Sequence, residues 1–248
     1  LETIRICDPA VGSGAFPVGM MNEIIRTRNA LTSYLKTKKG RTIYDFKRHA
    51  IQNCLYGVDI DLGAVEIAKL RLWLSLIVDE EDIKQIKPLP NLDYKIVQGN
   101  SLLSVQKDLF NQQLFTKLEE LKPLFFNETN TSKKREYKNQ IDELIRKITN
   151  NNQNFDFEIY FSEVFHDKKG FDVVMENPPY VRVDELDSLL KERYKNVYKT
   201  AVGKYDLYYL FFEKSLLISN DHGICIFISP IKFCAADSAT ILRSTLFD

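Results

Sequence analysis

Five short apolar runs, separated by stretches of helical spacing, constrain this chain more than any other feature. They are Ile4-Arg5-Ile6-Cys7, Cys54-Leu55-Tyr56-Gly57-Val58-Asp59, Tyr94-Lys95-Ile96-Val97-Gln98, Phe171-Asp172-Val173-Val174-Met175 and Ile224-Cys225-Ile226-Phe227-Ile228. Apolar strands of this length alternating with helices predict an α/β fold: a mainly parallel sheet with helices on both faces. The helical stretches follow the first strand (Val18, Met21, Ile24 and Ile25, with Pro17 in the first turn), then cover about 44–52, 62–78 and 205–218. Residues 32–41 are polar and read as a loop, and Asn220-Asp221-His222-Gly223 reads as a turn before the last strand.

Residues 104–154 break the rhythm. They are charged and helical in pattern and end in the polar run Asn150-Asn151-Asn152-Gln153-Asn154, which predicts an inserted helical hairpin with a solvated tip. The expected organisation is therefore 1–103 as one half of a domain, 104–170 as a largely helical insertion, and 171–248 as the second half. Leu1 is not a methionine, a strand follows at once, and 241–248 read as a helix running off the end. These features predict an excised piece of a longer protein, with truncation at the C-terminus.

Composition excludes several classes. With 248 residues, 44% of them hydrophobic, and 16 Phe and 12 Tyr, the chain can build a real core, so disorder is excluded. No uncharged apolar run approaches the roughly 18 residues of a membrane span. The four cysteines lie far apart with no CxxC, which argues against a disulfide framework or structural zinc and predicts a reducing cytoplasm. His49, His166 and His222 lack metal-ligand spacing, so no metal is expected. A formal net charge of zero does not predict a polyanion partner.

Three segments at strand ends carry chemistry. Gly12-Ser13-Gly14 lies between the first strand and its helix, where glycine lets a backbone approach a ligand closely or simply makes a tight turn. It is not a P-loop, because no Gly-Lys-Ser/Thr follows. A dinucleotide fingerprint would put its third small residue on Pro17. Asp59 ends the second strand and can accept both hydroxyls of a ribose; the alternative, a helix N-cap, suits Asp61 better. Asn100 ends the third strand, where its amide suits an adenine ring or serves as a turn residue. The sharpest signal is Asn177-Pro178-Pro179-Tyr180 after an apolar strand, a match expected by chance in roughly one chain of this size per thousand. Two prolines stiffen the backbone and leave carbonyls free to accept. The Asn oxygen and a proline carbonyl then form a two-acceptor clamp for an NH₂ group, aiming the nitrogen lone pair at an electrophile. Tyr180 can stack on the ring that carries the amine.

The ordered set of Asp8-Pro9-Ala10-Val11-Gly12-Ser13-Gly14-Ala15-Phe16, Gly57-Val58-Asp59-Ile60-Asp61, Gly99-Asn100-Ser101-Leu102 and Asn177-Pro178-Pro179-Tyr180 resembles the amino-group DNA methyltransferases. More narrowly, it resembles the adenine-specific methylases of bacterial and archaeal restriction–modification systems, including the large type IIG enzymes. The segments 205–213 and 223–230 are similar to later motifs of that family. The resemblance implies a Rossmann-like methyltransferase fold using S-adenosylmethionine, with double-stranded DNA as partner and the target adenine flipped out of the stack. It implies that Asp8, Gly12 and Gly14 hold the methionine end of the cofactor and that Ala15 and Phe16 line its pocket. Asp59 would take the ribose and Asn100 the adenine, with Pro9, Ala10, Ile60 and Ser101 completing the cofactor set. Asn177 and Pro178, with Pro179, would clamp the amine, and Tyr180 would stack on the base. It also implies attached nuclease and target-recognition domains in the full-length chain. Val11, Asn100 and Met175-Glu176 depart from the family's usual residues, and Glu176 puts a negative charge near the clamp.

Cytosine C5 chemistry is disfavoured, because no Pro-Cys pair supplies a nucleophile. The alternatives are a methyltransferase acting on a glutamine amide of protein, which presents the same two hydrogens, an RNA adenine methyltransferase, and a non-catalytic cofactor- or DNA-binding module. Arg182, Lys191, Arg193, Lys195, Lys199 and Lys204, interleaved with Tyr194 and Tyr198, form either a phosphate-contacting patch or a solvated face diluted by Asp184, Glu185, Asp187 and Glu192.

Overall fold

The strands Ile6–Asp8 (β1), Leu55–Asp59 (β2), Ile96–Gln98 (β3), Phe171–Glu176 (β4) and Ser219–Phe227 (β5) form one sheet in the order β3-β2-β1-β4-β5, with every pair parallel. The computed structural model describes residues 1–35, 41–78, 91–104, 112–128, 130–149 and 155–247. Successive strand residues point to opposite faces, and both faces are buried. On one face Ile6, Leu55, Ile96 and Val173 pack under α1 (Ala15–Thr32), α2 (Ile43–His49) and α3 (Leu62–Ile77). On the other, Cys7, Tyr56, Val58, Val97 and Val174 pack under Phe155 and the short helices α6 (Phe157–Tyr160) and α7 (Ser162–Lys168). Tyr56 and Phe171 meet the Phe161 ring edge-on at 5.1 and 5.9 Å. The fold is thus the expected Rossmann-like α/β sheet.

The chain runs outward from β1 to β2 and β3, then returns to the other side of β1 as β4. The strand order reverses between β1 and β4, where the loops leaving their carboxyl ends diverge and open a crevice. Asp8 and Asn177 stand at that point.

The helices α4 (Gln112–Asn127) and α5 (Thr131–Ile148) pair through Leu118, Leu121, Phe125, Ile141, Leu144, Ile145 and Ile148, and Tyr94 joins them to the sheet. Asn130 caps α5, accepting from Ser132 N and Lys133 N. A buried charge cluster fixes this unit to the rest. Lys122 donates to Ile159 O (3.1 Å) and Glu163, and Lys95 donates to the Tyr56 hydroxyl (2.6 Å) and Glu163 (3.0 Å). Burial opposes ionisation of Glu163, but the two ammonium groups outweigh it and hold the carboxyl at about 2. The polar run at 150–154 lies outside the described residues, as do 36–40 of the expected loop; α1 extends through Thr32.

Beyond β4 stand α8 (Ser188–Val197), capped by Asp187, α9 (Leu207–Ile218) and α10 (Thr240–Phe247). Helix α9 is apolar nearly all round, and every residue from Tyr208 to Ser215 is buried, as that pattern requires. Glu213 within it accepts from Lys199 N, Thr200 N and Thr200 Oγ1 at 2.8–2.9 Å and so ties down the chain between α8 and α9. β5 begins earlier than its sequence suggests. Ser219 already pairs with Phe171, the turn residues 220–223 are absorbed by a register shift, and Asn220 Nδ2 donates to Asp172 at 2.9 Å.

Candidate active site

The loop after β1 is pinned on three sides. Val11 N donates to Val58 O and Gly14 N to Val11 O, both at 2.9 Å, and Arg71 of α3 reaches the Ser13 hydroxyl at 3.1 Å. Gly14 has φ 83°, and a Cβ there would lie 2.9 Å from the Ala68 Cβ. Gly12 also has positive φ (50°), but a Cβ would meet open space, so this glycine is kept for backbone shape beside the crevice. Val11, one of the departures from the family pattern, turns away from the crevice. It is buried against Gly57, whose absent Cβ would come within 2.7 Å of Val11 Cγ2.

Asp59 binds the loops together before any ligand arrives. Oδ2 accepts from Gly12 N (2.8 Å) and Oδ1 from Asp61 N (2.9 Å). Each oxygen keeps a second lone pair, so the half-buried carboxylate can still accept two hydroxyls. Asp61 caps α3 through Gly63 N, as expected. Asn100 Oδ1 accepts from Leu102 N (3.0 Å), and Nδ2 donates to the Tyr194 hydroxyl (3.2 Å). Ser101 is buried, its hydroxyl donating to Pro9 O at 2.6 Å. Gly99 is required by contact: a Cβ would fall 2.4 Å from Cγ and 2.6 Å from Cβ of Phe155.

Asp8 is 3% exposed and accepts from Ala10 N at 3.0 Å. Burial pushes its carboxyl up to about 7, against the pull of the Ala10 N–H and with help from the Asp59 charge. Glu176, at the end of β4, is 1% exposed. Its Oε1 accepts from the Ser215 hydroxyl (2.6 Å) and its Oε2 has no partner among the described residues. Burial raises this carboxyl well above the usual range, and the neighbouring Asp8 charge adds to the effect. Glu176 thus lies buried beneath the clamp, and its surroundings push its carboxyl toward the protonated form.

The segment Asn177-Pro178-Pro179-Tyr180 leaves β4 at the crevice, with Pro178 buried and the other three exposed. The Tyr180 hydroxyl lies 2.7 Å from both Asn177 Oδ1 and Ile228 O, and its single proton serves one of these acceptors at a time. Its ring meets Tyr208 edge-on at 5.9 Å and remains 50% exposed, so a face is open to stacking.

One cleft of about 300 Å³ gathers Pro9, Ala10, Asp59, Ile60, Asn100 and Ser101 from the β1–β3 side with Asn177 and Pro179 from the β4 side. Asp8, Gly12, Gly14, Ala15, Phe16, Pro178 and Tyr180 are not part of its lining: Asp8 and Pro178 are buried, Gly14 is packed on α3, Ala15 and Phe16 open α1, and Tyr180 is exposed. Gly99, Leu102, Tyr194, Leu207 and Phe211 complete the wall. Of these, Leu207 and Phe211 belong to a segment already singled out, whereas no motif points to Tyr194. Tyr194 and Tyr198 are buried and face inward, and so do not interleave with the exposed basic side chains around them. A larger cleft of about 600 Å³ shares Ile60, Gly99 and Asn100 and runs over β3 to Lys138, Asp142 and Arg146 of α5. Among the described residues no group of His, Cys, Asp or Glu is placed to hold a metal, and no helix is long and apolar enough to cross a membrane.

Residues 53–248 match the model of the Eco57I restriction-modification methylase family. Over 106 residues the chain is 47% identical to RM.MjaORFECS2P of Methanocaldococcus jannaschii, which is named as a type II restriction enzyme and methyltransferase. That match covers 42% of this chain and 9% of the relative. It is 25% identical over 256 residues to the type II restriction enzyme and methyltransferase RM.Eco57I of Escherichia coli, covering 98% of this chain and 21% of the relative. It is 23% identical over 211 residues to the adenine-specific methyltransferase PglX of Streptomyces coelicolor, covering 83% and 14%. The chain spans no more than 21% of the length of these relatives. It belongs to the Eco57I restriction-modification methylase family.

Proposed function

We propose that this restriction-modification methylase transfers a methyl group from S-adenosylmethionine to the exocyclic amine of an adenine in double-stranded DNA. The observation that carries the reading is the single cleft at the strand-order reversal, which joins Asp59 and Asn100 to Asn177. Such a cleft has the size of small-ligand sites, which supports reading Asp59 and Asn100 as the nucleoside end and Asn177 as the amine clamp of one site.

The residues present suit a cationic nucleoside cofactor. Asp8 is a buried carboxyl with no cation beside it among the described residues, and a positive charge bound next to it would draw its proton off. Asp59 retains lone pairs for two hydroxyls, and Asn100 stands further along the same wall. Bound there, S-adenosylmethionine supplies an electrophilic methyl group. Asn177 Oδ1 and the Pro178 carbonyl accept the two hydrogens of the target amine and orient its lone pair. Tyr180 holds the base by stacking and steadies Asn177 through its hydroxyl. The amine of a paired adenine is buried in the duplex, so the base must be extruded to reach the clamp.

The test is transfer of labelled methyl from S-adenosylmethionine to unmethylated DNA, followed by digestion to nucleosides. Label in N6-methyladenine is expected, and Asn177→Ala should lower kcat about 100-fold or more, as loss of a positioned polar group does. Label appearing in a protein glutamine and not in DNA would overturn the reading.

A further inference from the structure

We infer that Tyr194 is a cofactor-binding residue whose hydroxyl donates to an acceptor nitrogen on the purine of the nucleoside cofactor. The inference rests on the function proposed above and concerns a residue outside every motif of the cleft. Tyr194 projects from α8, is 3% exposed, and lines the 300 Å³ cleft beside Asn100, Ile60 and Asp59.

The hydrogen bonds around it have a direction. Leu102 N–H takes Asn100 Oδ1, so the Asn100 amide must present its NH₂ to Tyr194. A flipped amide would set two donors against each other. The Tyr194 oxygen is therefore the acceptor in that contact, and its own proton is left over. Among the described residues nothing accepts it. Burial raises the phenol above its ordinary range, so the proton stays in place at neutral pH.

A donor with no protein acceptor at the wall of an open cleft is met by water until a ligand acceptor takes the water's place. The chemistry of its neighbours favours a ligand contact. Asp59 offers only acceptor lone pairs, whereas a purine presents ring nitrogens that need donors. Tyr198, one turn along α8, provides the comparison. Its hydroxyl donates to Leu102 O at 2.7 Å, and Tyr198 is not part of the cleft wall.

The experiment is calorimetry of the chain with S-adenosylhomocysteine and with 5′-methylthioadenosine, which lacks the amino-acid end. Tyr194→Phe is expected to weaken both ligands by a similar factor of about three to ten, the worth of one hydrogen bond. Tyr198→Phe should leave both within twofold. Unchanged affinity in Tyr194→Phe overturns the proposal. Equal weakening in both variants also overturns it, because the effect is then the seating of α8 and not a ligand contact. Failure of the unsubstituted chain to bind either ligand removes the cofactor reading itself, and is seen before any substitution is made.

Discussion

Replacing Asp8 with Asn should make the protein gain stability on the wild type as pH rises toward neutral and, on the function proposed above, weaken its hold on a cationic cofactor. The carboxyl is buried, and its proton is retained up to about 7, against an ordinary aspartate value of 3.8. Between those values the unfolded chain has released a proton that the folded chain still holds. Stability therefore falls as pH rises, by 1.36 kcal/mol per pH unit, and stops falling above the folded value. The full interval is worth about 4 kcal/mol, of which about 3 kcal/mol lies between pH 5 and pH 7. Asparagine keeps an oxygen to accept from Ala10 N but cannot ionise. Any cost of its buried NH₂ is the same at every pH and drops out of the comparison. Urea unfolding at pH 5 and pH 7.5, followed by the fluorescence of the single tryptophan Trp73, should show the variant gaining about 3 kcal/mol on the wild type over that interval. A gap that does not change with pH would refute the reasoning. So would a wild type that gains on the variant as pH rises, since that marks a carboxylate stabilised by folding.

Gly99→Ala should lower stability by about 1–3 kcal/mol, because its methyl would overlap the Phe155 ring. Thermal melts of the pair should show that Phe155→Ala combined with Gly99→Ala costs less than the sum of the single changes. Glu213→Ala leaves the Thr200 N–H buried without its acceptor and should cost about 2–4 kcal/mol in chemical denaturation, with Glu213→Gln costing clearly less.

The parallel sheet was readable because strands buried on both faces show as unbroken apolar runs, as in Leu55-Tyr56-Gly57-Val58. The strand-end residues followed, since Asp59, Asn100 and Asn177 had to emerge on the same edge. The cap at Asp61 was equally visible. Helix α8 was not. Leu190 and Tyr194, with Tyr198 just past the helix end, mark its inner face, and a Leu and two tyrosines spaced by one helical turn look the same whether they face a core or alternate with lysines on a surface. The start of β5 was hidden because Asn220-Asp221-His222-Gly223 carries every signal of a turn, while the pairing that absorbs it lies on β4. Glu176 shows the limit most clearly. Its carboxyl is buried, bonded to Ser215 and close to Asp8, both distant in sequence, and these surroundings push it toward the protonated form in a way the local sequence does not show.

The pairing of β1 with β4, in register Ile6↔Val173 and Cys7↔Val174, acts as a gauge between the two halves of the cleft. Slipping one strand by a single residue would carry Asn177 about 3.3 Å relative to Asp8 and turn each side chain of that strand to the opposite face. Reacting atoms must stand about 3–3.5 Å apart, and a 1 Å misplacement can cost about 100-fold in rate. The tolerance of the proposed transfer is thus set by a few backbone hydrogen bonds that touch neither ligand. The short overlap of β1 and β4 is the stretch where loosened packing would cost accuracy before it cost the fold.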